Sequence, residues 1–165
     1  MSGSGEVTLR IEDLPRLETE LADTPKRLAI LLAGVELSEL KRQPRPDGFS
    51  LLETAWHLHD LEKDAWGPRI DRLLNEGAPE MDDFDGDAAA RERRYHALPL
   101  APALVEFAVQ RTTNLMKLKG LRADQLARCG RLAGGSITLG ALLVRMRDHD
   151  RGHLDDVRKQ LGKTK

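Results

Sequence analysis

The stretch Thr138-Leu-Gly-Ala-Leu-Leu-Val-Arg-Met-Arg-Asp-His-Asp-Arg-Gly-His-Leu154 decides the fold of this chain. Apolar residues recur along it with the spacing that is typical of one face of an α-helix. Thr138 is a suitable N-cap, because its hydroxyl can accept a hydrogen bond from the first helical turn. The pattern predicts a helix from Thr138 to about Leu161. Its apolar positions are Leu139, Leu142, Leu143, Met146, Val157 and Leu161.

Two histidines lie on this apolar side. His149 and His153 occupy the stripe between Met146 and Val157, where leucine would be expected. Residues four apart share a helix face and lie roughly 6 Å apart along the axis, so both imidazoles can reach one metal ion. The alternative is two buried neutral histidines with hydrogen-bond partners, which is a costly way to fill a core.

Upstream, the sequence predicts three more long helices. The first spans 13–33, and Pro25 either kinks it or opens a second piece capped by Thr24. The second starts at Ser50 in a capping box with Glu53. It runs to about residue 75 with a kink or short break at Gly67-Pro68.

The third long helix covers 99–119 and places Arg111 on or beside its inner side. Between the long helices we expect short elements and loops: a charged helix over 88–97, one turn over 122–127, and loops over 77–87 and 130–135. No strand alternation persists anywhere. The expected fold is therefore all-α, a four-helix bundle with short extra helices.

Length and composition agree with this fold. The 165 residues suffice for one domain, which we place at 13–162 after a flexible N-terminal tail of residues 1–12. The chain has only two tryptophans, one tyrosine and three phenylalanines, so the core must be aliphatic, which suits helices better than a β-sandwich.

Charge and cysteine content narrow the function classes. The formal net charge of −1 favours neither nucleic acid nor an anionic membrane as a partner. No apolar run is long enough to span a bilayer, and no signal peptide is expected. The single cysteine, Cys129, cannot form an internal disulfide, which fits a cytoplasmic location.

The second long helix offers His57 and His59 as a third metal ligand. Residues two apart point about 200° away from each other around a helix, so one ion cannot easily bind both. Each lies at an edge of the apolar arc, and periodicity slightly favours His59 as the inward residue. His96 stands in a charged stretch and is expected at the surface.

The segment Gly48-Phe-Ser-Leu-Leu-Glu-Thr-Ala-Trp-His-Leu-His-Asp-Leu-Glu62 resembles the second helix of DinB/YfiT-like proteins, the DinB superfamily. Their pattern there is Gly-Trp-Ser followed by His-Leu-x-Asp-x-Glu. The last helix resembles theirs through its motif His-Asp-x-x-His-Leu. Two departures stand out: Phe49 replaces the usual tryptophan, and His59 is extra.

This resemblance implies a four-helix bundle that binds one divalent metal ion through three histidines. Position by position these are His57, His149 and His153, because the family histidine precedes a leucine and stands three residues before an aspartate. Three imidazoles leave open coordination positions, as in catalytic sites, and Zn or Ni is the expected ion.

Catalytic residues are not identified by the sequence, which offers only candidates. Glu62 falls within the apolar arc and is a candidate buried partner of a ligand, with Asp60 as another nearby acid. Arg145 stands one turn before His149 and is a candidate for the mouth of the pocket.

Two functions remain open. The resemblance implies a metal-dependent enzyme acting on a small-molecule substrate, either a thiol-dependent transferase or isomerase with a small thiol cosubstrate, or a hydrolase. The alternative is a non-catalytic metal-binding stress or interaction protein. We discount binding to nucleic acid, because the chain has no basic stripe. A homodimer is expected from the relatives alone.

Overall fold

Four long helical stretches form a bundle in the computed structural model, which describes residues 8–163. In chain order the elements are α1 (Leu14–Leu32), α2 (Leu37–Leu40), α3 (Leu51–Leu61), α4 (Gly67–Asn75), β1 (Glu80–Met81), α5 (Gly86–Glu92), α6 (Leu100–Met116), α7 (Ala123–Leu126), β2 (Cys129–Leu132), β3 (Gly135–Thr138) and α8 (Leu139–Gln160). Helices α1 and α3 each pack against both α6 and α8, so the two pairs alternate around the core. Helix α4 continues the course of α3 after a π-helical turn over Glu62–Trp66.

The two capped helix starts that the sequence predicts, at Ser50 and Thr138, are present. Ser50 and Glu53 form the capping box of α3, and the Thr138 hydroxyl accepts a hydrogen bond at the start of α8. The expected tail covers residues 1–12, of which 1–7 lie outside the described residues. Leu9 and Ile11 pack against the core. Within 8–163, no helix combines the length and apolar character needed to cross a bilayer.

Polar side chains separate the two larger apolar clusters of the core. Along α8, the first of these clusters ends at Met146 and the second begins at Leu154. Phe107 on α6 belongs to the second cluster, and Leu118, just after α6, belongs to the first. The residues between them include Arg111, Asn114, His149, Asp150 and His153. The bundle therefore carries a polar layer at mid-height, and the histidines of α8 belong to it.

A buried charged triad of Arg111, Glu62 and Asp150 holds this layer together. Arg111 Nη2 lies 2.9 Å from Glu62 Oε2, and Arg111 Nη1 donates to Asp150 Oδ2 at 2.7 Å. The side chains are at most 1% exposed. Burial alone would lower the pKa of Arg111, but the carboxylates of Glu62 and Asp150 raise it above its usual value. The guanidinium therefore stays charged.

Helix α1 joins the triad through its backbone. Of the two alternatives predicted at Pro25, a second helix capped by Thr24 is wrong, because α1 continues through Pro25 as one helix. Proline has no N–H, so the carbonyl of Leu21, four residues earlier, has no helical donor. Arg111 Nη1 donates to that carbonyl at 2.6 Å. Arg111 thereby satisfies the backbone group that Pro25 leaves free.

The break expected at Gly67-Pro68 is the π-helical turn just before it. Asn114 donates to the backbone carbonyl of Glu62 at 3.0 Å and to its carboxylate at 2.9 Å. A Cβ on Gly67 would lie 2.6 Å from the Asn114 amide oxygen, so this close approach requires glycine. Helix α4 then starts with Pro68 in its first turn, where proline is tolerated.

The prediction that residues 77–87 and 130–135 are loops was wrong in part, because three short strands form there, although the fold is the predicted helical bundle. Strand β1 pairs parallel with β2, and β2 pairs antiparallel with β3. The hairpin turns at Ala133 and Gly134, which both have positive φ. These strands occupy parts of the segments 77–87 and 130–135 that were expected to be loops. With two and four residues, they are too short to show a clear alternation.

The expected helix over 88–97 is also divided. Helix α5 starts earlier, at Gly86, where the Asp85 carboxylate accepts a hydrogen bond from Ala88. It ends at Glu92, and a 3₁₀ turn over Tyr95–Ala97 follows a left-handed residue, Arg94.

Replacing Arg111 by methionine tests the triad. The variant keeps the length of the side chain but leaves two buried carboxylates without a counter-charge. We expect the free energy of unfolding to fall by about 3–5 kcal/mol in urea denaturation. The matched control is Arg151→Met, which removes an exposed ion pair with Glu20 and should cost less than about 1 kcal/mol. Equal effects of the two substitutions would contradict the structural role of Arg111.

Candidate metal centre

Three histidines from two helices meet beside the charged triad. Helix α3 contributes His57, and α8 contributes His149 and His153. One ring nitrogen from each lies within 4.8 Å of the others. The ring centroids are 5.5 Å apart for His57 and His149, 4.9 Å for His57 and His153, and 4.4 Å for His149 and His153. We call these residues the histidine cluster.

The donor set fits a divalent metal ion. The Nε2 atoms of His149 and His153 are 3.2 Å apart. Two imidazoles that share a tetrahedral ion at 2.0–2.1 Å place their nitrogens about 3.3 Å apart. The Nδ1 atom of His57 is buried and has no hydrogen-bond partner among the described residues. Buried polar atoms without partners are rare, and ligation of an ion is one established reason for them.

Burial keeps the cluster neutral. Burial, together with the proximity of His153 and His149, lowers the pKa of His57 to about 3, and burial together with the proximity of His153 lowers that of His149 to about 4. Burial also lowers the pKa of His153. All three imidazoles are therefore unprotonated at pH 7, which is the form that binds metal.

The aromatic rings of Phe49 and Phe84 lie close to His57. The Phe49 ring lies 4.8 Å from the His57 ring and the Phe84 ring 6.3 Å from it. Two open clefts reach the cluster. One is lined by Phe49 and His153, the other by Phe49 and His57, and Asp87 lines both. A small molecule can thus approach the histidines from the side of Phe49.

The second histidine of α3 lies outside the cluster. His59 is buried, with Nδ1 2.8 Å from Asp60 Oδ1 and Nε2 3.3 Å from Glu106 Oε2. Its ring also meets the edge of Trp56. Periodicity slightly favoured His59 and the resemblance implied His57; the structure brings His57 together with the histidines of α8. His96 is exposed, as expected.

The three catalytic candidates occupy other places. Asp60 accepts hydrogen bonds from His59, Tyr95 and Arg93. Burial alone would raise the pKa of Asp60, but these bonds lower it overall. Glu62 is bound to Arg111 and Asn114. Within residues 8–163, neither acid makes a hydrogen bond or ion pair with the histidine cluster.

Arg145 is exposed one turn before His149, and its charge helps to lower the pKa of that histidine. Sequence reasoning missed Phe84 and Gly86, which contact or approach His57 from a segment expected to be a loop. No local pattern marks them, because their proximity to His57 arises only in the folded chain.

The neutral histidines make the metal-free protein sensitive to acid. Unfolded histidines gain protons near pH 6.5, whereas folded His57 and His149 do so only near pH 3 and 4. Between these values the unfolded state binds more protons, so the free energy of unfolding falls as pH is lowered from 6.5. We expect a loss of roughly 1 kcal/mol per pH unit for each histidine well below the unfolded pKa.

Urea denaturation with a chelator at pH 7, 6 and 5 measures this dependence. His57→Phe should reduce the slope of the free energy of unfolding against pH. His96→Ala should leave that slope unchanged, because His96 is exposed. A stability that stays constant between pH 7 and 5 would contradict the expected protonation states.

Comparison with known proteins supplies the family. The profile of the DinB superfamily matches residues 20–157, which contain the whole histidine cluster. Among solved structures, YfiT from Bacillus subtilis matches with a TM-score of 0.85 and 19% identity, over 98% of this chain and 97% of that one. That protein is described as a probable metal-dependent hydrolase with an unusual four-helix bundle topology. No curated protein matched the sequence. Since the family profile spans most of the described chain, the protein belongs to the DinB superfamily.

Proposed function

We propose that the protein is a metal-dependent enzyme in which His57, His149 and His153 bind one divalent ion, and that it hydrolyses a small-molecule substrate. The observation that carries this proposal is the histidine cluster itself, with one nitrogen of each ring within 4.8 Å of the others. The cluster opens to solvent through clefts, whereas a purely structural site is normally closed by a fourth protein ligand.

The donors favour particular ions. Neutral imidazoles suit first-row divalent ions, and we propose Zn²⁺ or Ni²⁺. When bound with open coordination positions, such an ion lowers the pKa of a coordinated water or thiol and polarises a carbonyl.

The protein's own residues orient the ligands and shape the approach. Asp150 lies between His149 and His153 in sequence, and its bonds to Arg111 fix the rotation of α8 that turns both histidines inward. Phe49 provides an apolar wall between the two clefts. Arg45, Lys159 and Asp156 line the cleft beside His153, so both signs of charge are available to a polar substrate.

Hydrolysis is favoured over thiol transfer by one comparison, the description of YfiT as a probable metal-dependent hydrolase. Transfer with a small thiol cosubstrate would use the same ligands, and it is therefore a second outcome of the same assay. The homodimer implied by the resemblance stays a prediction.

Metal analysis tests the ligand set. Wild-type protein should hold about one ion per chain, because the cluster offers one set of three ligands. His57→Ala, His149→Ala and His153→Ala should each lose most of it. His59→Ala is the matched control: it lies two residues from His57 and is buried, yet both its ring nitrogens face carboxylates. Retention of metal by His57→Ala together with loss by His59→Ala would overturn the assignment.

An activity assay tests the enzyme proposal. Protein reloaded with Zn²⁺ or Ni²⁺ should hydrolyse members of a panel of small esters and amides, or add a small thiol to an electrophile, and a chelator should abolish the rate. His149→Ala should be inactive even with added metal. If His149→Ala abolishes metal binding but no activity differs from wild type, the alternative of a non-catalytic metal-binding protein is the correct one.

A further inference from the structure

We infer that Gly86 is a positioning residue for His57. The absence of a side chain at position 86 leaves room for the His57 ring and so determines the position of the ring nitrogen that faces His149 and His153. This inference rests on the proposed metal function of the same cluster and adds a residue to it. A Cβ built on Gly86 would lie 2.6 Å from Cε1 and 2.8 Å from Nδ1 of His57. Both distances are well inside van der Waals contact, so an alanine cannot be added without movement.

The backbone at Gly86 does not itself require glycine. Its φ is not in the left-handed region, where glycines 34, 120, 134 and 162 lie. Gly86 is the first residue of α5, and its φ is one that alanine can adopt. The contact with His57 is the feature of this position that leaves no room for a larger residue.

The backbone at Gly86 is also held in place. The Asp85 carboxylate accepts a hydrogen bond from Ala88 N–H at 2.8 Å. Helix α5 packs against α3, and Arg93 just beyond it donates to Asp60 at 2.5 Å and to Asp64 at 2.6 Å. The bonds of Arg93 tie the C-terminal end of α5 to α3, which carries His57, and to the π-helical turn that follows it. An added Cβ is therefore relieved more easily by movement of the imidazole than by movement of the loop.

The imidazole has little room to move without leaving its place in the cluster. Phe49 lies 4.8 Å from its centroid, and the rings of His153 and His149 lie at 4.9 and 5.5 Å. The side chain can turn about its two torsions, which costs the fold little but shifts the nitrogen nearest the other two donors. A ligand constellation tolerates displacements of only about half an ångström. The effect of a side chain at position 86 should therefore appear in metal binding more than in stability.

Gly86→Ala tests the inference, with Gly152→Ala as the matched control. Gly152 lies in α8 beside His153, and a Cβ there meets nothing within 4 Å. Zn²⁺ affinity is measured by competition with a chromophoric chelator, and the ligand geometry by the visible absorption of the Co²⁺ protein. We expect Gly86→Ala to weaken Zn²⁺ binding by about tenfold or more, in the range of changes that disturb ligand orientation, and to alter the Co²⁺ spectrum. Gly152→Ala should match wild type in both.

A double-mutant cycle shows whether the effect passes through His57. Because His57→Ala should itself lose most of the metal, the cycle is read on the melting temperature of the metal-free protein: Gly86→Ala should lower it slightly in the wild-type background and leave it unchanged in the His57→Ala background. If Gly86→Ala fails to fold in the wild-type background but folds in the His57→Ala background, the steric contact is supported. If it has the same effect in both backgrounds, or none in either, the inference is wrong.

Failure of the proposed function would look different. Wild-type protein that binds neither Zn²⁺ nor Co²⁺ would overturn the metal site, while the melting temperatures of the cycle and the NMR signal of the His57 ring would still report the contact with position 86. Wild-type protein that binds metal, with Gly86→Ala unchanged in affinity and spectrum, would overturn the role of Gly86 alone.

Discussion

The placement of one buried arginine constrains the whole bundle. Arg111 is 1% exposed and interacts with all the long helical stretches: it stands on α6, bonds the Leu21 carbonyl on α1, and pairs with Glu62 beyond α3 and with Asp150 on α8. A guanidinium in a core is tolerated only when carboxylates and hydrogen-bond acceptors surround it. Each helix must therefore present a polar group at the same height, and this requirement sets the relative position of the helices along the bundle axis.

The backbone irregularities of two helices follow from the same constraint. Pro25 removes a helical hydrogen bond from α1, and the carbonyl that it frees is the one that Arg111 uses. The π-helical turn after α3 places Glu62 toward Arg111, and Asn114 satisfies the Glu62 carbonyl. A proline and a π turn that would weaken isolated helices thus supply acceptors to the polar layer. The histidine cluster lies in this layer because Asp150 stands between its two members on α8.

Much of this arrangement could be predicted from the sequence. The rest could not, because it depends on contacts between segments that are far apart in the chain. The helix α8 and the inward direction of His149 and His153 follow from helical periodicity, and the capping box of α3 follows from Ser50 and Glu53. Periodicity also placed Arg111 on or beside the inner side of α6, but it did not predict the buried carboxylates that Arg111 pairs with. The contact of Gly86 with His57 was not visible, because it joins an acidic, turn-rich segment to a helix about thirty residues earlier.

The assignment of Glu62 shows a limit of reasoning from position alone. Its place within the apolar arc correctly predicted burial, and it is fully buried. A buried carboxylate needs a partner, but periodicity names only the face of the helix and not the neighbour. A histidine of the cluster and the arginine of α6 were both possible partners. The arginine is the stronger one, because a charged pair compensates burial better than a bond to neutral imidazole.

Periodicity could not choose between His57 and His59 for the same reason: it gives the face of a helix but not the neighbours of a side chain. Periodicity separates an inward from an outward face only when one side of a helix meets water. All residues of α3 except Trp56 are buried, so both histidines point into protein and the apolar arc cannot rank them. Their partners distinguish them. Both nitrogens of His59 face carboxylates, those of Asp60 and Glu106, whereas Nδ1 of His57 has no partner among the described residues. On α3, His57 is the histidine whose ring nitrogen lies within 4.8 Å of those of His149 and His153, so it is the one placed to serve as a ligand.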